Sequence, residues 1–430
     1  MRRAEYERLV SRLYALEKRG MRLTLDGTRT ILKRLGSPEK RLPSALVAGT
    51  NGKGSSCALM ASVLRRAGYC TGLYTSPHLV DFRERIRIGG ECISKEEAFE
   101  LLRSVVPIAE KGGHSFFETM TALALRHFRD RNVDLLVAEV GLGGRLDSTN
   151  VLSPLVSVIT GVAIEHRHIL GRTLSAIARE KAGIMRRGVP VVTAARGRAL
   201  ETLEEISESV GASMRTLDSG LKPRALLVSR AGTVFRASWE GRSRHLFLSL
   251  RGRHQVTNAG CAVLACLELR KRGLRIGDAA LESGLGEAQW PGRLEERGWN
   301  PAFVFDVAHN PQAARVLADA LGTLYGGRRV IAVVGMVEDK DHSGFLKRIV
   351  PRVEHVVLTQ ASCNRALPAA ELRRRLPARF SRWSIKPNVA GAVREAVALA
   401  RNDELVCVTG SFYTVGDAFR CLRIGPTECI

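Results

Sequence analysis

The stretch SALVAGTNGKGSSCALMASVLRRAG, beginning at Ser44, restricts the fold more than any other. An apolar run ends at Ala48, a glycine-rich loop spans Gly49 to Ser55, and apolar residues then resume at helical spacing. A strand that turns through glycines straight into a helix commits the chain to a βα unit, and such units stack into parallel sheets. The loop also has a chemistry. Its three glycines let the backbone wrap a phosphate and aim N–H groups at it, the helix start adds positive potential, Lys53 adds a full charge, and Ser55 offers a hydroxyl to Mg²⁺. Gly49, Thr50, Asn51, Gly52, Lys53, Gly54 and Ser55 are therefore assigned to ATP. The spacing departs from the general G-x4-G-K-[ST] pattern, with Val47 in place of the first glycine and Gly54 after the lysine.

The same pattern of apolar run, glycine turn and helix recurs along the chain. Strands are expected in VDLLVAEVG, LVSVITGVA and VPVVTA, then in FVFDVAHN, RVIAVVGM, HVVLTQ and LVCVTGS. Between about residues 221 and 250 the character changes to short antiparallel runs, ALLVSR, TVFRASWE and HLFLSL. WPGRLEERGWNP follows as a junction. The expected fold class is α/β: a P-loop-type, mostly parallel sheet domain over residues 1–295, followed by a smaller Rossmann-like α/β domain over 296–430.

Composition removes several other classes. At 430 residues, 45% hydrophobic and 25% charged, the chain can bury a large core and is neither disordered nor fibrous. Nine cysteines without a CxxC pair argue against a zinc ribbon or a thioredoxin motif, and most lie in apolar runs where a thiol acts as a small core residue. MRRAEYERLVSRLYALEKRG alternates charge with apolar residues and reads as an amphipathic helix, not a signal sequence. No run approaches the roughly 20 apolar residues of a membrane span; the chain is expected to be cytoplasmic, with no membrane partner. The formal charge of +23 is spread along the sequence and is mostly arginine. A diffuse excess attracts polyanions without selecting among them, so small anionic ligands are the expected partners and nucleic acid is not.

AGTNGKGS resembles the ATP loop of the Mur ligase superfamily, and specifically that of folylpolyglutamate synthase and dihydrofolate synthase. YTSPHLVDFRERIRIGG, SFFETMTALAL, EVGLGGRLDSTN, LGRTLSAIAREKAGI, GRHQVTNA, WPGR, DVAHNP, EDKD and GSFY are similar to that family in the expected order, from about residue 20 to residue 417. The resemblance implies an ADP-forming ligase that adds L-glutamate to dihydropteroate or to reduced folates through an acyl phosphate. Two Mg²⁺ ions and a CO₂-derived carbamate on Lys181 are implied with it. Ser76, Glu139, His166 and Lys181 match the metal residues, and Lys53, Lys181 and His309 the catalytic ones. Asn258, Arg293 and Asp306 match nucleotide contacts. Leu23, Thr24, Leu25, Ser115, Phe116, Phe117, Leu146, Asp147 and Ser148 match the pterin side. Departures are Ser148 for the usual Ala, Glu165 for the usual Asp before the metal histidine, and Val307 for a common Gly. The expected form is a monomer. The rivals are another Mur-type ligase, a degenerate homologue, and a nucleic-acid-stimulated P-loop ATPase.

Overall fold

The computed structural model describes residues 3–20, 24–298 and 300–424. Leu23, expected on the pterin side, lies outside them.

The first sheet contains β1 (Ser44–Ala48), β2 (Thr71–Tyr74), β3 (Ile86–Ile88), β4 (Glu91–Cys92), β5 (Leu135–Glu139), β6 (Pro154–Ile159), β7 (Pro190–Thr193) and β8 (Ser213–Thr216). Their order is β4-β3-β2-β5-β1-β6-β7-β8, and all neighbours are parallel except at β2–β3 and β3–β4. The central strands read as unbroken apolar runs because both faces are covered. Ala45 and Val47 enter one core while Leu46 and Ala48 enter the other, and Leu135 and Val137 part from Leu136 and Ala138 in the same way.

β9 (Arg224–Ser229), β10 (Gly232–Trp239) and β11 (Arg242–Leu248) form the antiparallel meander expected between residues 221 and 250. The helices that follow it, Arg253–Lys271 and Asp278–Glu287, return to the first sheet and pack on the helix of the phosphate loop, Lys53–Arg66. Gly284 permits this approach, since a Cβ there would stand 2.5 Å from the Val63 Cα.

The second α/β sheet contains β12 (Glu295–Arg297), β13 (Ala302–Phe305), β14 (Val330–Val334), β15 (His355–Leu358), β16 (Trp383–Ile385) and β17 (Leu405–Thr409). Its order is β12-β13-β17-β14-β15-β16, parallel except for β12. Each strand predicted from the apolar runs is present. The short edge strands β4, β8, β12 and β16, and β3 next to β4, carry too few residues to show a period. Cys57, Cys261, Cys266 and Cys407 are buried free thiols, as expected of cysteines in apolar runs, whereas Cys92, in the edge strand β4, is disulfide-bonded. No helix among the described residues is long and apolar enough to cross a membrane.

Candidate active site

The loop after β1 lies at the carboxyl edge of the first sheet, where the geometry of parallel strands places ligands. Gly49 (φ 150°) and Gly52 (φ 86°) use backbone conformations that suit glycine, and Gly52 caps the helix that begins at Lys53. Side chains would also collide there, because a Cβ on Gly49 would meet the Thr160 hydroxyl and one on Gly52 the Asn258 amide. Thr160 Oγ1 donates to the Asn51 carbonyl at 2.7 Å, and Thr50 N to the Gly161 carbonyl at 2.7 Å. The end of β6 thus holds the loop in shape. Lys53 Nζ rests on the Thr50 carbonyl at 3.2 Å, Ser55 is buried, and Asn258, bonded to Gln255, packs against the loop from the helix Arg253–Lys271.

Around this loop stand the residues matched to the metals. Glu139 ends β5, is buried, and accepts one hydrogen bond, from the Ser76 amide to Oε2 at 3.0 Å. Burial pushes its carboxyl up, against the pull of Lys53, the Ser76 N–H and Arg293. Lys181 is 3% exposed and donates to the Gly49 carbonyl at 2.8 Å. Burial, reinforced by the charge on Lys53, lowers its amine to about 7. His166 follows β6 in a left-handed conformation (φ 50°), and burial and then Lys340 push its imidazole down to about 4.

The structure therefore brings Ser76 onto Glu139 and Lys181 onto the phosphate loop, with Lys53 close enough to act on Glu139, His166 and Lys181. Among the described residues, no three His, Cys, Asp or Glu side chains are grouped to hold a metal by themselves. A hard cation here would need the hydroxyl and carboxylate oxygens of Ser76 and Glu139, the His166 nitrogen and oxygens from a ligand. Glu139 fits such an ion, since among the described residues its Oε1 accepts no hydrogen bond and no cationic side chain pairs with it. The Lys181 ammonium does not, and would have to lose its charge first.

The second sheet meets the first across this edge. Glu165 Oε1 receives Lys340 Nζ at 2.8 Å and faces His309 Nε2 at 3.3 Å. Burial alone would raise its carboxyl, but His309 and Lys340 overcome that and hold it far below the usual range. Lys340 also stands 3.4 Å from His166 Nε2, and Asp339 links His166 to Arg365. His309 Nδ1 is turned to the Val307 carbonyl at 2.9 Å. Asn310 and Gln312 hydrogen-bond Asn51 of the phosphate loop at 3.1 and 2.8 Å. Asn310, Gln312, Asp339 and Lys340 were not singled out from sequence; the signals were the DVAHNP run, which contains Asn310, and the EDKD run around Lys340.

Arg293 lies with its guanidinium 5.0 Å from the Phe412 ring centre and makes no ion pair among the described residues, while burial lowers its pKa and Asp306 and Glu139 oppose that. Asp306, expected at the nucleotide, has both oxygens on backbone amides, from Leu294 at 3.0 Å and Ala308 at 2.9 Å. In this structure it fixes the turn that carries Arg293.

The pterin-side matches gather on the other flank. Ser115 caps the helix Phe116–Asp130 in a reciprocal box with Glu118. Phe116 is buried and stacks on Tyr14 at 5.6 Å, whereas Phe117 lies against Gly141 in the EVGLGGR turn. Asp147 accepts from Leu142 N, Thr149 N and Thr149 Oγ1, and Ser148 Oγ accepts from Thr28 at 2.9 Å, a bond that an alanine there could not make. Leu146 is half-buried, and Thr24 and Leu25 immediately precede the helix Asp26–Arg34.

Residues 47–266 match the Mur ligase middle domain, and residues 292–412 the glutamate ligase domain of Mur ligases. The chain is 34% identical over 428 residues to the dihydrofolate synthase/folylpolyglutamate synthase of Bacillus subtilis, covering 97% of this chain and 99% of that protein. It superposes on Escherichia coli FolC in complex with DHPP and ADP with a TM-score of 0.85 at 32% identity, covering 97% and 98% of the two chains. A bifunctional folylpolyglutamate synthase/dihydrofolate synthase with Mn, AMPPNP and L-glutamate bound gives 0.84 at 32% identity, covering 96% and 98%.

Proposed function

This chain belongs to the Mur ligases, in their folylpolyglutamate and dihydrofolate synthase branch, and from that premise we propose how its residues join L-glutamate to a pteroyl or folyl carboxylate at the expense of ATP. The observation that carries the reading is Glu139, a buried carboxylate with no cationic partner among the described residues, beside a phosphate loop and its lysine. Structural carboxylates are normally paired; this one is left for a metal.

The loop amides and Lys53 hold the ATP phosphates, and Arg293 reaches them from the junction with its two-pronged guanidinium. Ser76, Glu139 and His166 hold two Mg²⁺ ions together with Lys181, which acquires an anionic head as a carbamate. For this, the neutral amine attacks CO₂, a C–N bond forms and a proton leaves; an amine lowered to about 7 is available for that step. When bound, the metals neutralise the β- and γ-phosphates and the acceptor oxygen. The pteroyl ring lies along Phe116, Phe117 and Leu146, with Thr24, Leu25, Ser115, Asp147 and Ser148 shaping its edge. Its carboxylate takes the γ-phosphoryl group from ATP, releasing ADP. The amine of glutamate then attacks the acyl carbon, and phosphate leaves. His309 and Lys340 line the face of the second domain, 296–430, from which the amine enters. The enzyme acts as a cytoplasmic monomer, without nucleic acid.

Purified protein supplied with ATP, Mg²⁺, L-glutamate and, in parallel, dihydropteroate or tetrahydrofolate tests the reading by product mass. Glutamyl adducts with ADP release dependent on both acceptor and glutamate are expected. ATP hydrolysis stimulated by DNA or RNA with no adduct would overturn it in favour of a P-loop ATPase.

A further inference from the structure

Arg85 closes the three-ten turn Phe82–Arg85 and is 7% exposed, yet no carboxylate lies within ion-pair distance of it among the described residues. Arg83, two residues earlier, shows the usual arrangement, a 2.9 Å pair with Asp81. Arg85 instead spends one N–H on a neutral base, Nε donating to His78 Nδ1 at 2.9 Å. A guanidinium can only donate, so Nδ1 must accept and His78 Nε2 is left to donate to the Tyr14 hydroxyl at 3.1 Å. Burial and the neighbouring arginines Arg85 and Arg420 drive the imidazole well below its usual range, which keeps it neutral. Nothing in this relay offsets the arginine charge.

The other side of the guanidinium is apolar. It stands 5.1 Å from the Phe116 ring centre, and Phe116 is stacked on Tyr14. Nη1 and Nη2 find no hydrogen-bond partner among the described residues, and neither is among the fully enclosed polar atoms that lack one. Two parallel donors are thus held rigidly by His78 and Phe116 and open to an incoming acceptor. Their field reaches Glu139 on one side and Tyr413 of the second domain on the other.

We propose that Arg85 binds a carboxylate of the acceptor substrate, its two terminal nitrogens gripping both oxygens. The proposal rests on the reading of the chain as a folate-directed ligase. A molecule whose ring lies along Phe116 and whose tail must reach Glu139 passes Arg85 on the way. That carboxylate is either the reacting one, present on pteroate and folate alike, or the neighbouring carboxylate of a glutamyl tail, present only on folates. In the second case Arg85 separates polyglutamylation from dihydrofolate synthesis.

Titration calorimetry on the full-length protein with p-aminobenzoate, p-aminobenzoyl-glutamate and L-glutamate as probes, on wild type, Arg85→Gln and Arg85→Lys, decides the matter. Arg85→Gln is expected to weaken p-aminobenzoyl-glutamate at least tenfold, and Arg85→Lys, which keeps the charge and loses the fork, three- to tenfold. KM for ATP should stay within twofold and the melting temperature should be unchanged. Equal weakening of p-aminobenzoate assigns the reacting carboxylate, and weakening of p-aminobenzoyl-glutamate alone assigns the tail. Unchanged binding of both probes, or a loss confined to L-glutamate, overturns the proposal. If Arg85→Gln does not fold, Arg85→Lys binding like wild type has the same force. Wild type forming no glutamyl product with either acceptor would bring down the functional reading instead, and the probe titrations would still test Arg85.

Discussion

Glu139 and Glu165 are two acids at the same edge of the same sheet, both withdrawn from water, and their carboxyls are driven in opposite directions. Glu139 has one backbone amide for a partner and is pushed up by burial. Glu165 is less deeply buried, its side chain 12% exposed, and Lys340 and His309 of the second domain lie against it and hold it down. Burial raises both carboxyls; the supply of counter-charge decides which way each one goes. The acid that the fold has neutralised ties the domains together, and the one it has left unneutralised is available to a metal.

The sharpest way to break the comparison is to remove each negative charge in turn. Glu139→Gln should cut kcat by about 10³, or ~4 kcal/mol of transition-state stabilisation, as expected for losing a metal-held charge. The melting temperature of the metal-free protein should hold or rise, because a desolvated and unpaired carboxylate has been replaced by a neutral amide. Steady-state kinetics and thermal unfolding in chelator check both. An active Glu139→Gln enzyme would place the metal elsewhere.

Lys181 tests whether the unneutralised side depends on a further anion. Lys181→Ala should lose about 10²-fold in kcat, ~3 kcal/mol, and recover part of it with acetate, a carboxylate small enough to fill the vacated volume. Full activity without acetate would remove the carbamate from the mechanism. The protein mass after mild trapping, higher by one CO₂, would confirm it.

What could be read from the chain alone follows the same division. The phosphate loop, the paired apolar strands and the meander from residue 224 to 248 are local, because glycine positions and side-chain period are written in consecutive residues. Glu139 is nearly local: it ends an apolar strand, and such ends sit at ligand edges. Glu165 is not. It stands 3.9 Å from His166 Nε2, as a lengthened Asp before that histidine would, but the partners that hold its charge lie 144 and 175 residues away in sequence, brought to it by the packing of two sheets. Asp306 shows the complementary case: as a strand-end acid it reads as a nucleotide contact, and the structure adds that each of its oxygens also accepts from a backbone amide, which no local pattern spells out. Arg85 stood inside a recognised motif, FRERIRIGG, but nothing in the spelling shows that it is buried and its neighbours Arg83 and Asp81 pair with each other.

The last prediction concerns stability. Glu165→Gln leaves Lys340 nearly enclosed, with a 9% exposed side chain and no full negative partner but Asp339 at 3.9 Å, which should cost about 3 kcal/mol at neutral pH. Because the folded carboxyl lies below its ordinary 4.5, its stabilisation is fully present above that value and is lost as pH falls through the folded one. The gap in melting temperature between wild type and Glu165→Gln should therefore be widest above about pH 5 and close as the pH drops further. Glu139 slopes the other way: the folded state holds that proton more tightly than the unfolded chain, so the site favours folding in acid and opposes it as the pH rises through the elevated value. Metal-free protein scanned from pH 7 to pH 4 would show the two variants offset from wild type with opposite sign at neutral pH, both offsets shrinking as the pH falls. Matching curves would mean that the paired and the unpaired acid are not distinct, and the contrast between the two would fail.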